Sequence, residues 1–155
     1  MQQGLVADQL VGLQDLLPTL ASLAGIELPQ AVDGLDLSPL LEGNTFEERE
    51  WIVSYCLGKG SQLYMVADKQ WKYCYSEIGG SEELYDLTID PDELLNIADQ
   101  PNATSILHTM RDRLRTWAQE NGDSDILDGD GLAASDKDVL AGVEFVPKTM
   151  GWRWH

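Results

Sequence analysis

Apolar residues follow two different periods along the chain. Between residues 15 and 25 the spacing is helical: Leu16, Leu17, Leu20, Leu23 and Ala24 share a mostly apolar face. Asp15 stands where a cap belongs, Pro18 falls in the first turn where no intrahelical donor is needed, and Gly25 ends the run. Upstream, Leu5, Val6 and the Leu10–Val11 pair show no alternation and amount at best to a short strand end. A loop built on Pro29, Asp33-Gly34 and Asp36 follows. Ser38-Pro39-Leu40-Leu41-Glu42-Gly43 then reads as one capped helical turn closed by glycine.

From residue 51 the period becomes two. Trp51, Val53 and Tyr55 alternate with Ile52, Ser54 and Cys56, and a second run spans Gln62 to Ala67. After the turn Asp68-Lys69-Gln70, Trp71, Tyr73 and Tyr75 alternate with Lys72, Cys74 and Ser76. Glu83-Leu84-Tyr85-Asp86-Leu87 makes a fourth strand, and aromatic and β-branched runs between short turns predict an antiparallel sheet. Asp90-Pro91-Asp92-Glu93 reads as a cap, a proline at the first helical position and a Glu that returns to the cap, starting a short turn that ends near Asn96. The longest helix is predicted from about Asn102 to Asn121, closed by Gly122. Its stripe is Ala103, Ile106, Leu107, Met110, Leu114, Trp117 and Ala118.

The expected fold class is therefore α+β, a four-stranded antiparallel sheet packed against one long C-terminal helix. The stretch from 123 onward carries no clear period before Val143–Val146. The N-terminal helix is the odd part, because nothing before it supplies a sheet for its leucines. It reads as the end of something larger.

Composition narrows the function classes. The chain has 155 residues, of which 43% are hydrophobic, too apolar for a wholly disordered protein. No apolar run approaches the roughly 20 residues that span a bilayer. Met1-Gln2-Gln3-Gly4 lacks the basic opening of a signal peptide, so any export signal is expected upstream. Lys and Arg number 10 against 27 Asp and Glu, a net charge of −17, which argues against nucleic acid and anionic membranes as partners. Residues 1–48 hold no base at all.

No complete catalytic constellation emerges. His108 falls opposite the apolar stripe and His155 ends the chain. The run Asp123, Asp125, Asp128 and Asp130 fails the EF-hand pattern, since Leu127 or Leu132 occupies a ligand position and the closing Glu is missing. Cys56 and Cys74 lie on predicted strands and could pair only if those strands were neighbours in register. Two tryptophans in Trp152-Arg153-Trp154 are expected to dock on protein or frame a pocket.

The order of motifs is more telling than any one of them. Val11-x-x-x-Asp15-Leu16-Leu17-Pro18-Thr19-Leu20-x-x-Leu23-Ala24-Gly25 resembles a stretch that sulfatases carry late in their catalytic domain. Asp33-Gly34-x-Asp36-Leu37-x-Pro39-Leu40-Leu41-Glu42-Gly43 resembles the segment after it. Trp71-Lys72-Tyr73 and Glu82-Glu83-Leu84-Tyr85-Asp86-Leu87-x-x-Asp90-Pro91-x-Glu93-x-x-Asn96-x-Ala98 are similar to the family's C-terminal subdomain.

The resemblance implies the end of an alkaline-phosphatase-like α/β domain over 1–48, the C-terminal subdomain over 49–122 and an acidic tail over 123–155. It implies sulfate-ester hydrolysis in a complete enzyme that uses a formylglycine, made in a C/S-x-P-x-R motif, and a divalent cation, usually calcium. Neither cysteine here lies in such a motif, and no catalytic or metal residue carries over to this chain. Its partner would be a missing N-terminal catalytic domain, with self-association through the leucine helix when that domain is absent.

The resemblance further implies that the subdomain packs beside the pocket mouth, where a loop such as Gly58–Gly60, and here the tail, can touch the alcohol side of the ester. This makes Lys59, Trp152, Arg153 and Trp154 the substrate-binding candidates. Competing readings are the tail of a related phosphodiesterase or phosphonate hydrolase, and a free-standing acidic binding or assembly module.

Overall fold

The structure, a computed structural model, describes residues 4, 6–57 and 62–136. Four strands, β1 (Ile52–Leu57), β2 (Gln62–Ala67), β3 (Trp71–Ser76) and β4 (Ser81–Asp86), form an antiparallel sheet in the order β1-β2-β3-β4. Register pairs Val53 with Val66, Val66 with Tyr73, and Tyr73 with Leu84, so one row of apolar side chains crosses the sheet on a single face. Tyr64, Val66, Tyr73, Tyr75 and Leu84 are buried there, while Leu63 on the other face is half exposed. The period-two alternation is the imprint of that one-sided burial.

Ahead of the sheet lie a 3-10 turn (Leu13–Asp15), helix α1 (Leu16–Leu23) and the single turn α2 (Ser38–Leu41). After it comes α3 (Thr104–Asn121), which lies on the buried face with Leu107, Met110, Leu114 and Ala118 inside. Ile106 and Trp117 pack at its margin, as the predicted stripe requires. Gly122 stops the helix in the left-handed region at φ 70°, where its N–H reaches the Ala118 carbonyl.

Residues 123–136 also belong to this unit. Ile126 is fully buried in the core, and Leu127–Asp128 (β5) pairs with Gly131–Leu132 (β6) in a small hairpin. Ser135 then bonds the turn between β3 and β4, its N–H donating to the Glu77 carbonyl and its carbonyl accepting from Gly79. Strands of two residues are too short to leave a period in the sequence.

The segment 87–100 replaces the expected capped turn with a loop. The Asp90 carboxylate accepts from the N–H groups of Leu94 and Leu95, at 3.1 and 2.9 Å. Glu93 does not return to Asp90: it sits at φ 55° and pairs instead with Lys72 on β3. Asn96 holds the loop to β4. Its Oδ1 accepts from the Leu84 and Ala98 N–H groups at 3.0 and 2.9 Å, and its Nδ2 donates to the Glu82 carbonyl. Asn96→Ala is expected to cost about 1–3 kcal/mol, read by urea denaturation, because the N–H of fully buried Leu84 loses its acceptor. Asn96→Asp, which keeps the acceptor, should cost less.

Helix α1 turns its leucines outwards. Its buried residues are Pro18, Thr19 and Ala21, whereas Leu16, Leu17, Leu20 and Leu23 are exposed, Leu20 by 63%. Leu13 and Ile26, at either end of the helix, are exposed as well. No described helix is long and apolar enough to cross a membrane.

Candidate functional site

The residues that look like motif elements in the sequence are, in the structure, the pegs that hold its segments together. Asp15 does not cap α1. Its carboxylate is fully buried and faces away from the helix, accepting from the Gly12 N–H at 2.7 Å and the Leu35 N–H at 2.8 Å. Arg49, 34 residues on, completes the set with two bonds of 2.7 and 2.5 Å, one to each oxygen. A neighbouring turn of the same helix supplies Thr19. Its hydroxyl donates to the Asp15 carbonyl at 2.6 Å and accepts from the Leu37 N–H at 2.9 Å. Gly34 is required where the loop crosses this node, since a Cβ there would lie 2.0 Å from the Gln14 carbonyl oxygen.

Burial alone would raise the Asp15 carboxyl. The Arg49 guanidinium and the two N–H donors outweigh it and hold the carboxyl at about 2, below its ordinary 3.8. Asp68 and Glu82 show the same contest: burial pushes each up, and the guanidiniums of Arg113 and Arg111 pull each lower. All three therefore bind a proton less tightly folded than unfolded. Their stabilisation is complete above the unfolded range near pH 4 and is lost as the pH falls towards 2. Thermal melts at pH 7 and pH 3 should show the midpoint dropping with acidification. An unchanged midpoint would contradict these pairs.

A second polar node lies between sheet and helix. Tyr73, fully buried, donates its hydroxyl to Glu82 Oε1 at 2.6 Å, and Arg111 on α3 grips both Glu82 oxygens. Burial and the Glu82 charge push the Tyr73 hydroxyl far above its usual range. Burial also raises the Cys74 thiol, so it is a poor nucleophile at neutral pH.

Strand β2 lies between the strands that carry Cys56 and Cys74, and both cysteines are free. His108 is exposed on α3, as its place opposite the stripe predicts. Asp123 accepts from the Tyr64 hydroxyl at 2.8 Å. Among the described residues, no three His, Cys, Asp or Glu side chains converge as metal ligands would.

The four substrate-binding candidates, Lys59, Trp152, Arg153 and Trp154, lie outside the described residues. What the sequence did not single out is a cleft of about 670 Å³ between the N-terminal segment, the edge strand β1 and the end of α3. Trp51, Tyr55 and Trp117 wall it, and Gln62, Asn121 and Asp123 lie at its polar side.

Comparison with known proteins places this arrangement. The sequence family described as N-sulphoglucosamine sulphohydrolase, C-terminal, matches residues 1–120. Arylsulfatase K of Homo sapiens is 36% identical over 110 residues, covering 63% of this chain and 20% of that protein. The solved structure of a 2-O GAG sulfatase superposes with a TM-score of 0.68 at 32% identity, over 78% of this chain and 27% of that one. A phosphonate monoester hydrolase of Agrobacterium radiobacter shares the fold, with a TM-score of 0.56 at 24% identity over 68% of this chain and 24% of its own. The chain spans about a fifth of the length of the curated relatives it matches.

Proposed function

Because the chain belongs to the N-sulphoglucosamine sulphohydrolase C-terminal family, we propose that it is the closing part of a sulfatase that hydrolyses sulfate esters. In this reading, residues 1–48 complete the catalytic α/β domain, 49–122 carry the sheet and long helix of the C-terminal subdomain, and 123–155 are an acidic stretch whose first part, through Ile126 and the hairpin, packs on that subdomain. The chain contributes packing and a share of substrate selectivity. The nucleophile, a formylglycine, and the ligands of a divalent cation, usually calcium, come from the partner domain that precedes it.

The observation that carries this reading is the outward leucine face of α1. A helix held by a buried Asp–Arg pair, yet presenting Leu16, Leu17, Leu20 and Leu23 to solvent, is built to be covered. An upstream catalytic domain is the cover that the family match supports. Alone, the chain should self-associate through that face. Replacing Leu16, Leu17 and Leu20 together by Gln should render it monomeric in analytical ultracentrifugation.

The activity test is made on the longer protein that includes this chain. It should release p-nitrophenol from p-nitrophenyl sulfate, whereas the 155-residue chain by itself should not. A longer protein that cleaves phenyl phosphonates and leaves the sulfate intact would replace the sulfatase reading with that of a phosphonate hydrolase.

A further inference from the structure

We propose that the cleft between β1 and the end of α3 binds an uncharged, polyhydroxylated ligand, a stretch of neutral saccharide, with Tyr55 and Trp117 as its stacking platform. Three features point to that chemistry. The first is the shape of the aromatic surface. The Tyr55 and Trp117 rings lie 5.5 Å apart, and both pack on Tyr64, with centroids at 6.2 and 6.1 Å. The three rings therefore pack on one another as a cluster, Tyr55 and Trp117 tilted by 48° and Trp117 edge-on to Tyr64 at 65°. Tyr55 is 54% exposed, an unusual state for an aromatic ring on the helix-covered side of a sheet. Such a surface suits the C–H face of a pyranose.

The second feature is an excess of acceptors. Tyr64 has one hydroxyl proton but lies within hydrogen-bond distance of both Gln62 Oε1, at 2.5 Å, and Asp123 Oδ2, at 2.8 Å. The Asp123 carboxylate, an acceptor only, therefore keeps lone pairs for a donor on the ligand beyond the one bond from Tyr64. Asn121, also lining the cleft, donates one N–H to the Trp117 carbonyl at 2.8 Å and keeps its amide oxygen and second N–H for a ligand. Hydroxyl groups supply donors in quantity, and carboxylates and amides beside an aromatic wall are the groups that orient them.

Charge is the third. Among the described residues the acids lining the cleft are Asp33 and Asp123, and the guanidinium there, Arg49, has both terminal nitrogens bound to Asp15. A sulfate or uronate would meet two carboxylates and no free cation among these described side chains, an arrangement that selects against the charged parts of a glycan. At about 670 Å³ it has room for more than one sugar ring.

The proposal does not rest on the sulfatase reading, because binding needs no catalytic centre. It is tested by isothermal titration of the full chain with cellotetraose, chitotetraose, maltotetraose and a heparin tetrasaccharide. At least one neutral tetrasaccharide should bind, about tenfold or more tighter than the heparin fragment. Tyr55→Ala and Asn121→Ala, both at exposed positions, should each weaken that binding by about tenfold in chains that still unfold in one cooperative transition. Trp117→Ala should abolish it but also loosen the core, so the two exposed variants are the decisive ones. The proposal is overturned by no binding of any neutral sugar, by a heparin fragment that binds as well, by a Tyr55→Ala chain that binds like the parent, or by tetramethylammonium binding more tightly than any sugar. None of these outcomes touches p-nitrophenyl sulfate hydrolysis, and loss of that hydrolysis would leave the isotherm as it is.

Discussion

Asp15→Ala is expected to release residues 10–37 from the sheet unit and to lower stability by about 3–5 kcal/mol. The magnitude follows from what the substitution leaves behind. Arg49 is only 13% exposed, so its guanidinium would stay buried without a counter-charge. The N–H groups of Gly12 and Leu35 would lose their acceptor as well. A surface ion pair would be worth well under 1 kcal/mol, and burial separates the two cases. Urea denaturation gives the energy, and limited proteolysis between 26 and 36 gives the location. Gly34→Ala should produce the same cleavage pattern, since its Cβ would collide with the Gln14 carbonyl on which the loop rests. An Asp15→Ala chain within about 0.5 kcal/mol of the parent would mean that the pair acts as a surface pair does.

Glu82→Ala should be the next most damaging single change described here, at about 2–4 kcal/mol. It removes the acceptor of the Tyr73 O–H in the fully buried centre of the sheet, and it takes the counter-charge from Arg111 at the helix–sheet seam. Glu82→Gln keeps an acceptor for Tyr73 while removing the charge, so it should recover part of the loss. Combining Glu82→Ala with Arg111→Met should cost less than the sum of the two, because the double variant buries no unpaired charge. Additivity in that cycle would contradict a coupled Tyr73–Glu82–Arg111 node.

The sheet and its helix were legible in the sequence because both bury one face against the other. Tyr64, Val66, Tyr73 and Tyr75 alternate for that reason, and Leu107, Met110, Leu114 and Ala118 recur at helical spacing for the same one. Asp15 and Glu93 mislead for a shared reason. A carboxylate at a helix-like start looks the same whether it bonds the next turn or an Arg 34 residues away. Only the fold supplies Arg49 and Lys72 as partners. The sequence was equally silent about the hairpin after Gly122, whose strands hold two residues each.

The candidate site shows the same division. Asp15, Thr19, Gly34 and Asn96 carry the resemblance to sulfatases, and each has a mechanical role: an ion-pair anchor, a loop clasp, a close approach and a strand-edge acceptor. A family signature in this region therefore records how the subdomain is fastened. The aromatic cleft could not be read in advance. Trp51 and Tyr55 belong to a strand alternation and Trp117 to a helix stripe, and only the meander brings them to one cavity.

If this chain is the C-terminal part of a sulfatase, the catalytic groups are encoded before it. The most direct measurement is to read the coding DNA upstream of Met1, in frame. An open frame encoding C/S-x-P-x-R and paired aspartates near its start is the expected result. A stop codon with a ribosome-binding site directly before Met1 would contradict it, and would leave a chain that binds or assembles without hydrolysing a sulfate ester.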